Sequence, residues 1–268
     1  SHIADVSAFV AQGGKIDREA EKRATSFYLG NQVIPMLPEK LSDDLCSLRE
    51  GVERLCLTSE IVIGPGGDVL GSEFHRGIIK SDRRLTYTQA HEMVEKKGRF
   101  RAASPLKAMH ELALVLKERR MKQGRVDLSL TDSEFIYEGN TLIDLITAQR
   151  LKSHLIIEEF MLTANEAASR TLREKDMPTL YRIHETISEE KLAALLKFLQ
   201  TLGIGFNRKL PVGKAVQEVI EKVRGKEYEE VVNFIVLRSF MQAFYGIDPK
   251  GHFGLGFRDY THFTSPIR

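Results

Sequence analysis

The run from Leu55 to Ile79 restricts the fold more than any other stretch of this chain. Leu55 to Ile63 alternates apolar and polar side chains, the period of a strand with one face covered. Gly64-Pro65-Gly66-Gly67-Asp68 is a hairpin turn by composition, and Val69 to Ile79 reads as the returning strand. The residues before this hairpin agree with a β-rich unit. Ile3-Ala4-Asp5-Val6 reads as strand, Ser7 to Ala11 and Ile16 to Thr25 as short helical runs separated by Gly13-Gly14, and Ser26 to Leu29 as extended. Ile34-Pro35-Met36-Leu37-Pro38 must be non-helical, because each proline drives its predecessor out of the helical region. Ser42 to Leu45 can cap a short helix.

From Thr88 the period changes. Gln89 to Lys97 and Ser104 to Gln123 predict two helices, the second with Ala108, Leu112 and Leu116 at helical spacing. Val126 to Ile146 reverts to strand around a turn at Glu138-Gly139-Asn140. Ala148 to Lys175 predicts a long helix, and three more follow: Ser188 to about Leu202, Lys214 to Arg224, and Tyr228 to Tyr245. No internal repeat, low-complexity tract or linker divides the chain. The expectation is one α+β domain, a mixed β-sheet with packed helices.

Composition excludes several classes. With 42% hydrophobic residues and a net charge of +2, the 268 residues are too apolar and too balanced for disorder. No apolar run approaches the ~20 residues that cross a bilayer, so no membrane is expected as a partner. Ser1 to Asp5 resembles neither a signal peptide nor a transit segment. Cys46 and Cys56 form no disulfide framework and no zinc spacing, which points to a reducing compartment, the cytoplasm. The overall balance hides an asymmetry. Between Arg76 and Arg125, fourteen basic residues face five acidic ones, a local +9. Such a stretch is either a set of solvated helix faces or a surface for a polyanion such as nucleic acid.

Two segments hold candidate chemistry. On the long helix, Ile157, Met161, Ala164, Ala168 and Leu172 form an apolar stripe that His154, Glu158 and Asn165 interrupt, while Glu159 points nearly opposite. A carboxylate at Glu158 is therefore either clamped by hydrogen bonds or facing a cleft. The C-terminal stretch concentrates small hydroxyls, two histidines, aromatics and an arginine. Arg268 with Ser265 and Thr264 could bind phosphate, although the spacing fits no P-loop, zinc finger or hydrolase elbow.

These segments also carry a resemblance. His252-Phe253-Gly254-Leu255, followed after four residues by Tyr260-Thr261-His262-Phe263-Thr264-Ser265-Pro266-Ile267-Arg268, resembles the signature of the ribonuclease II/ribonuclease R family. His2-Ile3-Ala4-Asp5-Val6, Tyr28, Ile34 to Pro38, Leu41-Ser42 with Cys46-Ser47-Leu48, Ile157-Glu158-Glu159-Phe160-Met161 with Ala164-Asn165, Tyr181 to Glu185, and Leu237-Arg238-Ser239 look like further blocks of its RNB catalytic domain, in order. The resemblance implies a hydrolytic exoribonuclease that degrades single-stranded RNA from the 3′ end to 5′-nucleoside monophosphates. Its bases stack on aromatics, its 2′-hydroxyls separate RNA from DNA, and carboxylate-held Mg2+ activates water. By the same resemblance the intact enzyme is a monomer. Tyr28 matches the aromatic against the terminal nucleotide, Tyr87 a second substrate-contacting tyrosine, and Phe135 the outer stacking aromatic. Glu158 or Glu159 matches a substrate-facing glutamate, with the helical angle favouring Glu158, and Arg268 matches the arginine on the scissile phosphate.

One departure stands out. The family's magnesium ligands are closely spaced aspartates lying before the His-Ile-Ala-Asp-Val block, with which this chain begins. Neither Asp5 nor the Asp43-Asp44 pair is assigned to the metal. Residues 1–268 are thus expected to be one partial RNB-type domain, without its first strands or flanking RNA-binding β-barrels, and weak or inactive in isolation. The alternative is a non-catalytic RNA-binding or scaffolding relative of the same fold.

Overall fold

A computed structural model describes residues 1–30, 32–95, 103–128, 133–139, 141–147 and 149–265. The alternating run forms the expected long hairpin of β4 (Glu53–Ile63) and β5 (Val69–Lys80), which follows β1 (His2–Ala4), α1 (Lys15–Arg23), β2 (Phe27–Leu29) and β3 (Gln32–Ile34). β1 adds antiparallel to β4 with Ile3 opposite Leu57, and a bulge at Val62/Ile63 leads into the glycine turn. Gly67 sits at φ +86 with its Cα face against Arg119 and Val115, a place where a side chain would be both strained and crowded. The proline segment is non-helical as expected, and the next turn, Lys40–Leu45, is π-helical.

Helices then follow in the chain. α2 (Tyr87–Glu95) and α3 (Ala103–Gln123) precede the hairpin β6 (Ser133–Glu138)–β7 (Thr141–Thr147), and α4 (Lys152–Glu174) packs against α2, α3, β4 and β5. Ser72 Oγ and Thr171 Oγ1 share a hydrogen bond of 3.1 Å, and Arg170 donates to the Val69 carbonyl. The chain ends with β8 (Tyr181–Ile183), α5 (Glu189–Thr201), α6 (Val212–Val223), α7 (Glu229–Ser239) and β9 (Phe244–Gly246). The α+β class holds. Among the described residues its strands form four small antiparallel sheets. No helix among them is long and apolar enough to cross a membrane.

Three local expectations are corrected. The helix expected to run to Tyr245 stops at Ser239; Phe240 is extended, and its ring packs against His184 and Phe253 while β9 pairs with β8. Residues 126–128, expected as strand, are not in one, since the Val126 N–H donates to Gly254 O and the Asp127 N–H to Gln217 Oε1 instead of to a strand neighbour. On α4 the expected apolar stripe is covered only in part, at Ala164 and Ala168. Ile157 and Met161 are exposed, whereas Glu159 is fully buried, and from Leu162 to Ser169 nearly every side is covered. Alanines and serines there admit neighbours from all directions, so the helix is central rather than one-sided.

The largest apolar core lies between α5, α6 and α7, around Leu195, Leu199, Val216, Val219, Ile220, Val232 and Val236. Gly213, in the first turn of α6, lets that helix meet the end of α3: a Cβ there would stand 2.9 Å from the Gly124 carbonyl oxygen and 3.5 Å from the Phe253 ring. Gly213→Ala should therefore destabilise the protein by about 1–3 kcal/mol in urea unfolding, despite alanine's better helix propensity. Stabilisation instead would show that the two backbones separate freely.

Candidate functional site

The site is built on one polar face of α4. His154, Glu158 and Asn165 lie at i, i+4 and i+11 on that face, over a rise of roughly 16 Å. Each holds a different candidate residue. Thr86 and Gln89 form a reciprocal cap on α2, with Gln89 N–H donating to Thr86 Oγ1 (3.2 Å) and Thr86 N–H to Gln89 Oε1 (3.0 Å). That cap presents the half-exposed Tyr87 to His154, at a ring separation of 4.2 Å, and Ser153 Oγ donates to the Tyr87 carbonyl (2.7 Å). Asn165 Nδ2 donates to the Tyr260 hydroxyl (2.8 Å), and Asn165 Oδ1 accepts from the Thr264 N–H (2.9 Å). The C-terminal stretch is thereby laid along α4.

Glu158 and Glu159 separate into different roles. α3 ends at Gly124, whose φ of +102 lets its N–H reach Met121 O while the Arg125 N–H reaches Arg120 O. This closing motif turns Arg125 back towards α4. Glu159, 0% exposed, is then paired with both Arg120 and Arg125, the latter at 2.8 Å. Burial, followed by the neighbouring Arg125, lowers Arg120 to about 10, so it is still charged at neutral pH. Glu158 pairs with Arg125 and, at 2.8 Å, with Arg150, and its side chain retains 29% exposure. Burial opposes its charge, but the two guanidiniums prevail and hold its carboxyl below the ordinary range. Of the two glutamates, Glu158 is therefore the one with an open edge.

Two aromatics stand away from the helix. Tyr28 on β2 is 77% exposed, and Phe135 on β6 is exposed as well. Their hairpins touch, since Gly30 (φ +59), in the β2–β3 turn, lies directly against the Tyr137 hydroxyl. Ser265 is exposed, while Thr264 Oγ1 is buried with no hydrogen-bond partner among the described residues. Arg268, the expected phosphate ligand, lies outside the described residues, as do Lys96, Lys97, Arg99 and Arg101 of the basic stretch. Much of the rest of that stretch is paired internally: Arg119 with Asp68 and Glu166, Lys117 with Asp127, Arg76 with Asp5. Burial within the stretch is mixed: Arg119, Arg120 and Arg125 are covered and paired, whereas Arg76, Lys80, Arg83, Arg84 and Lys122 are exposed. His252, lowered to about 3 by burial and by His184, is neutral and packs as an aromatic between His184 and Tyr260.

The sequence pattern singles out neither Arg150 nor Asp127, and marks Arg125 only as the end of the basic stretch. The signal available was Gly124 before Arg125, a helix end that returns an arginine towards its own helix pair. The described residues do not fit the magnesium that the resemblance implies. No three His, Cys, Asp or Glu side chains among them converge to hold a metal ion, Asp44 is paired with Lys40, Arg49 and Arg54, and Asp5 accepts from Ser7 Oγ.

Glu159→Gln leaves two buried guanidiniums short of a counter-charge and should cost about 3–5 kcal/mol, with Glu158→Gln costing clearly less. Because the Glu158 and Asp127 carboxyls are held low, their stabilisation is complete above the ordinary carboxylate range and is lost as pH falls through their folded values. Glu158→Gln should accordingly flatten the acid side of the stability curve. Urea titrations from pH 7 downward measure both effects, and equal costs for the two variants would contradict this division.

Comparison with known proteins gives these residues a context. The RNB domain model matches residues 1–268. Ribonuclease R of Mycoplasmopsis pulmonis is 39% identical over 273 residues, covering 100% of this chain and 38% of that protein. Mycoplasma genitalium RNase R, solved in complex with ribose-methylated single-stranded RNA, superposes with a TM-score of 0.93 at 30% identity, covering 100% of this chain and 43% of its own. A yeast pseudonuclease shares the fold alone, with a TM-score of 0.78 at 20% identity. The chain thus spans well under half the length of these relatives, and along all of its own length it belongs to the RNB domain family.

Proposed function

We propose that this chain is the catalytic-domain portion of a hydrolytic 3′→5′ exoribonuclease that degrades single-stranded RNA to 5′-nucleoside monophosphates in the cytoplasm. The observation that carries the reading is the exposure of Tyr28 and Phe135 on touching hairpins, together with the open carboxylate of Glu158. A large aromatic left out of the core is a stacking platform, since every base has a π-face and stacking needs no sequence. Tyr28 receives the 3′-terminal base and Phe135 a base further along. Glu158 accepts hydrogen bonds from ribose hydroxyls, which DNA lacks at the 2′ position. The half-exposed Tyr87 lines the same face, and Ser265, Thr264 and Arg268 meet phosphate.

The family's metal supplies activation of water when bound. The described carboxylates do not form its ligand set. Residues 1–268 form one part of a longer, monomeric enzyme, and RNA is its partner to the exclusion of DNA and membrane.

Binding of a labelled single-stranded RNA by this chain, beside DNA of the same sequence, tests the reading. RNA should bind more tightly, affinity should fall as salt rises, and Tyr28→Ala should weaken it by about tenfold or more. Degradation is followed on 5′-labelled RNA with magnesium, with Mycoplasmopsis pulmonis Ribonuclease R as control, and a ladder receding from the 3′ end is expected from the complete enzyme. Absence of RNA binding at low salt would overturn the reading. Binding by a complete protein that never shortens RNA would replace it with a non-catalytic RNA-binding relative.

A further inference from the structure

The hairpin that carries Phe135 has little of its own to hold it in place. β6 and β7 pair with each other and with no third strand among the described residues, and Leu142, Ile143 and Leu145 on β7 are exposed. A two-stranded hairpin is marginal in water, so beyond the contact of Tyr137 with Gly30 its orientation depends on where it joins the body. Arg150 stands at that junction, three residues beyond Thr147. One guanidinium nitrogen lies 3.5 Å from Asp127 Oδ1 and the other 2.8 Å from Glu158 Oε2. Asp127 belongs to the opposite leg, upstream of β6, where Lys117 Nζ binds its second oxygen at 2.7 Å and Gln217 Oε1 accepts its backbone N–H at 2.9 Å. The remaining oxygen of Glu158 receives Arg125.

One side chain therefore joins both legs of the hairpin to α4. Asp127 and Glu158 are mostly covered, while Arg150 is 51% exposed and closes the cluster from outside. An exposed ion pair taken alone contributes little. Here a single planar guanidinium is shared by two carboxylates that are themselves anchored, which gives direction as well as attraction.

We propose that Arg150 is a positioning residue: by bridging Asp127 and Glu158 it staples the two legs of the β6–β7 hairpin to α4 and sets the stance of Phe135 relative to the Glu158 carboxylate. The inference rests on the proposed roles of Phe135 and Glu158 in holding RNA. It predicts that Arg150 acts on RNA through Phe135, so that losing both costs no more than losing Phe135.

Two measurements on Arg150→Gln test it. Amide hydrogen exchange without RNA should quicken across β6 and β7 and stay unchanged along α4, and Asp127→Asn, which cuts the same bridge from the other leg, should give the same pattern. RNA affinity should fall several-fold in Arg150→Gln and about tenfold in Phe135→Ala, with the double variant matching Phe135→Ala alone; Arg150→Lys should recover part of the loss. Unchanged hairpin exchange, or losses that multiply in the double variant, would overturn the proposal. If Phe135→Ala weakens binding and Arg150→Gln does not, the staple fails while the RNA reading stands. If Phe135→Ala leaves affinity untouched, the stacking role assigned to Phe135 fails, and the staple's RNA role with it, whatever the exchange data show.

Discussion

Glu159 between Arg120 and Arg125 is the interaction on which the arrangement depends. A carboxylate with no exposure is tolerable only if the desolvation of its charge is offset by close partners of opposite charge. Two guanidiniums from the end of α3 supply them, and one of these arginines extends the pairing to the adjacent Glu158. The relative placement of α3 and α4 is thereby set by charge as well as by apolar packing. Buried ionic clusters of this kind punish misplacement more than they add stability, so they suit a position where two helices must meet in one register.

From that anchor the rest of the site follows along a single helix. Successive polar residues on α4 reach the α2 cap through His154, the Phe135 hairpin through Glu158 and Arg150, and the C-terminal stretch through Asn165. Segments more than a hundred residues apart in sequence, Tyr87 and Thr264 among them, are referred to the same rigid element. Side chains mounted on or tied to a regular helix hold their geometry better than side chains on free loops. The two aromatic hairpins show the complementary design. They are small and two-stranded, they carry Tyr28 and Phe135 exposed, and they touch through Tyr137 and Gly30.

Charge counted along the +9 stretch does not separate the arginines that are covered from those that face outward. Arg119, Arg120, Arg125, Lys117 and Arg76 all find carboxylates that the sequence places far away, at Asp68, Glu166, Glu159, Glu158, Asp127 and Asp5. Helix α4 shows the same effect for hydrophobicity. A stripe drawn through Ile157 and Met161 assumes one buried side, whereas a central helix is covered from several directions and can leave apolar residues outside.

By itself the sequence determined what local physics controls. The long β4–β5 hairpin, the non-helical proline segment, the cores of α2 to α6 and the α+β class are all legible from alternation, helical spacing and turn residues. The family is legible too, because its motifs are short runs of residues in a set order. Only the tertiary structure decided where α7 stops, that residues 126–128 stay out of a strand, and which glutamate of the Glu158-Glu159 pair is open. Each of those outcomes depends on partners distant in sequence: Phe253 and His184 for Phe240, Gly254 for Val126, Arg120 and Arg125 for Glu159. A periodic pattern reports which residues share a face. It does not report what that face meets, and the free energy of burying a charge is set entirely by what it meets.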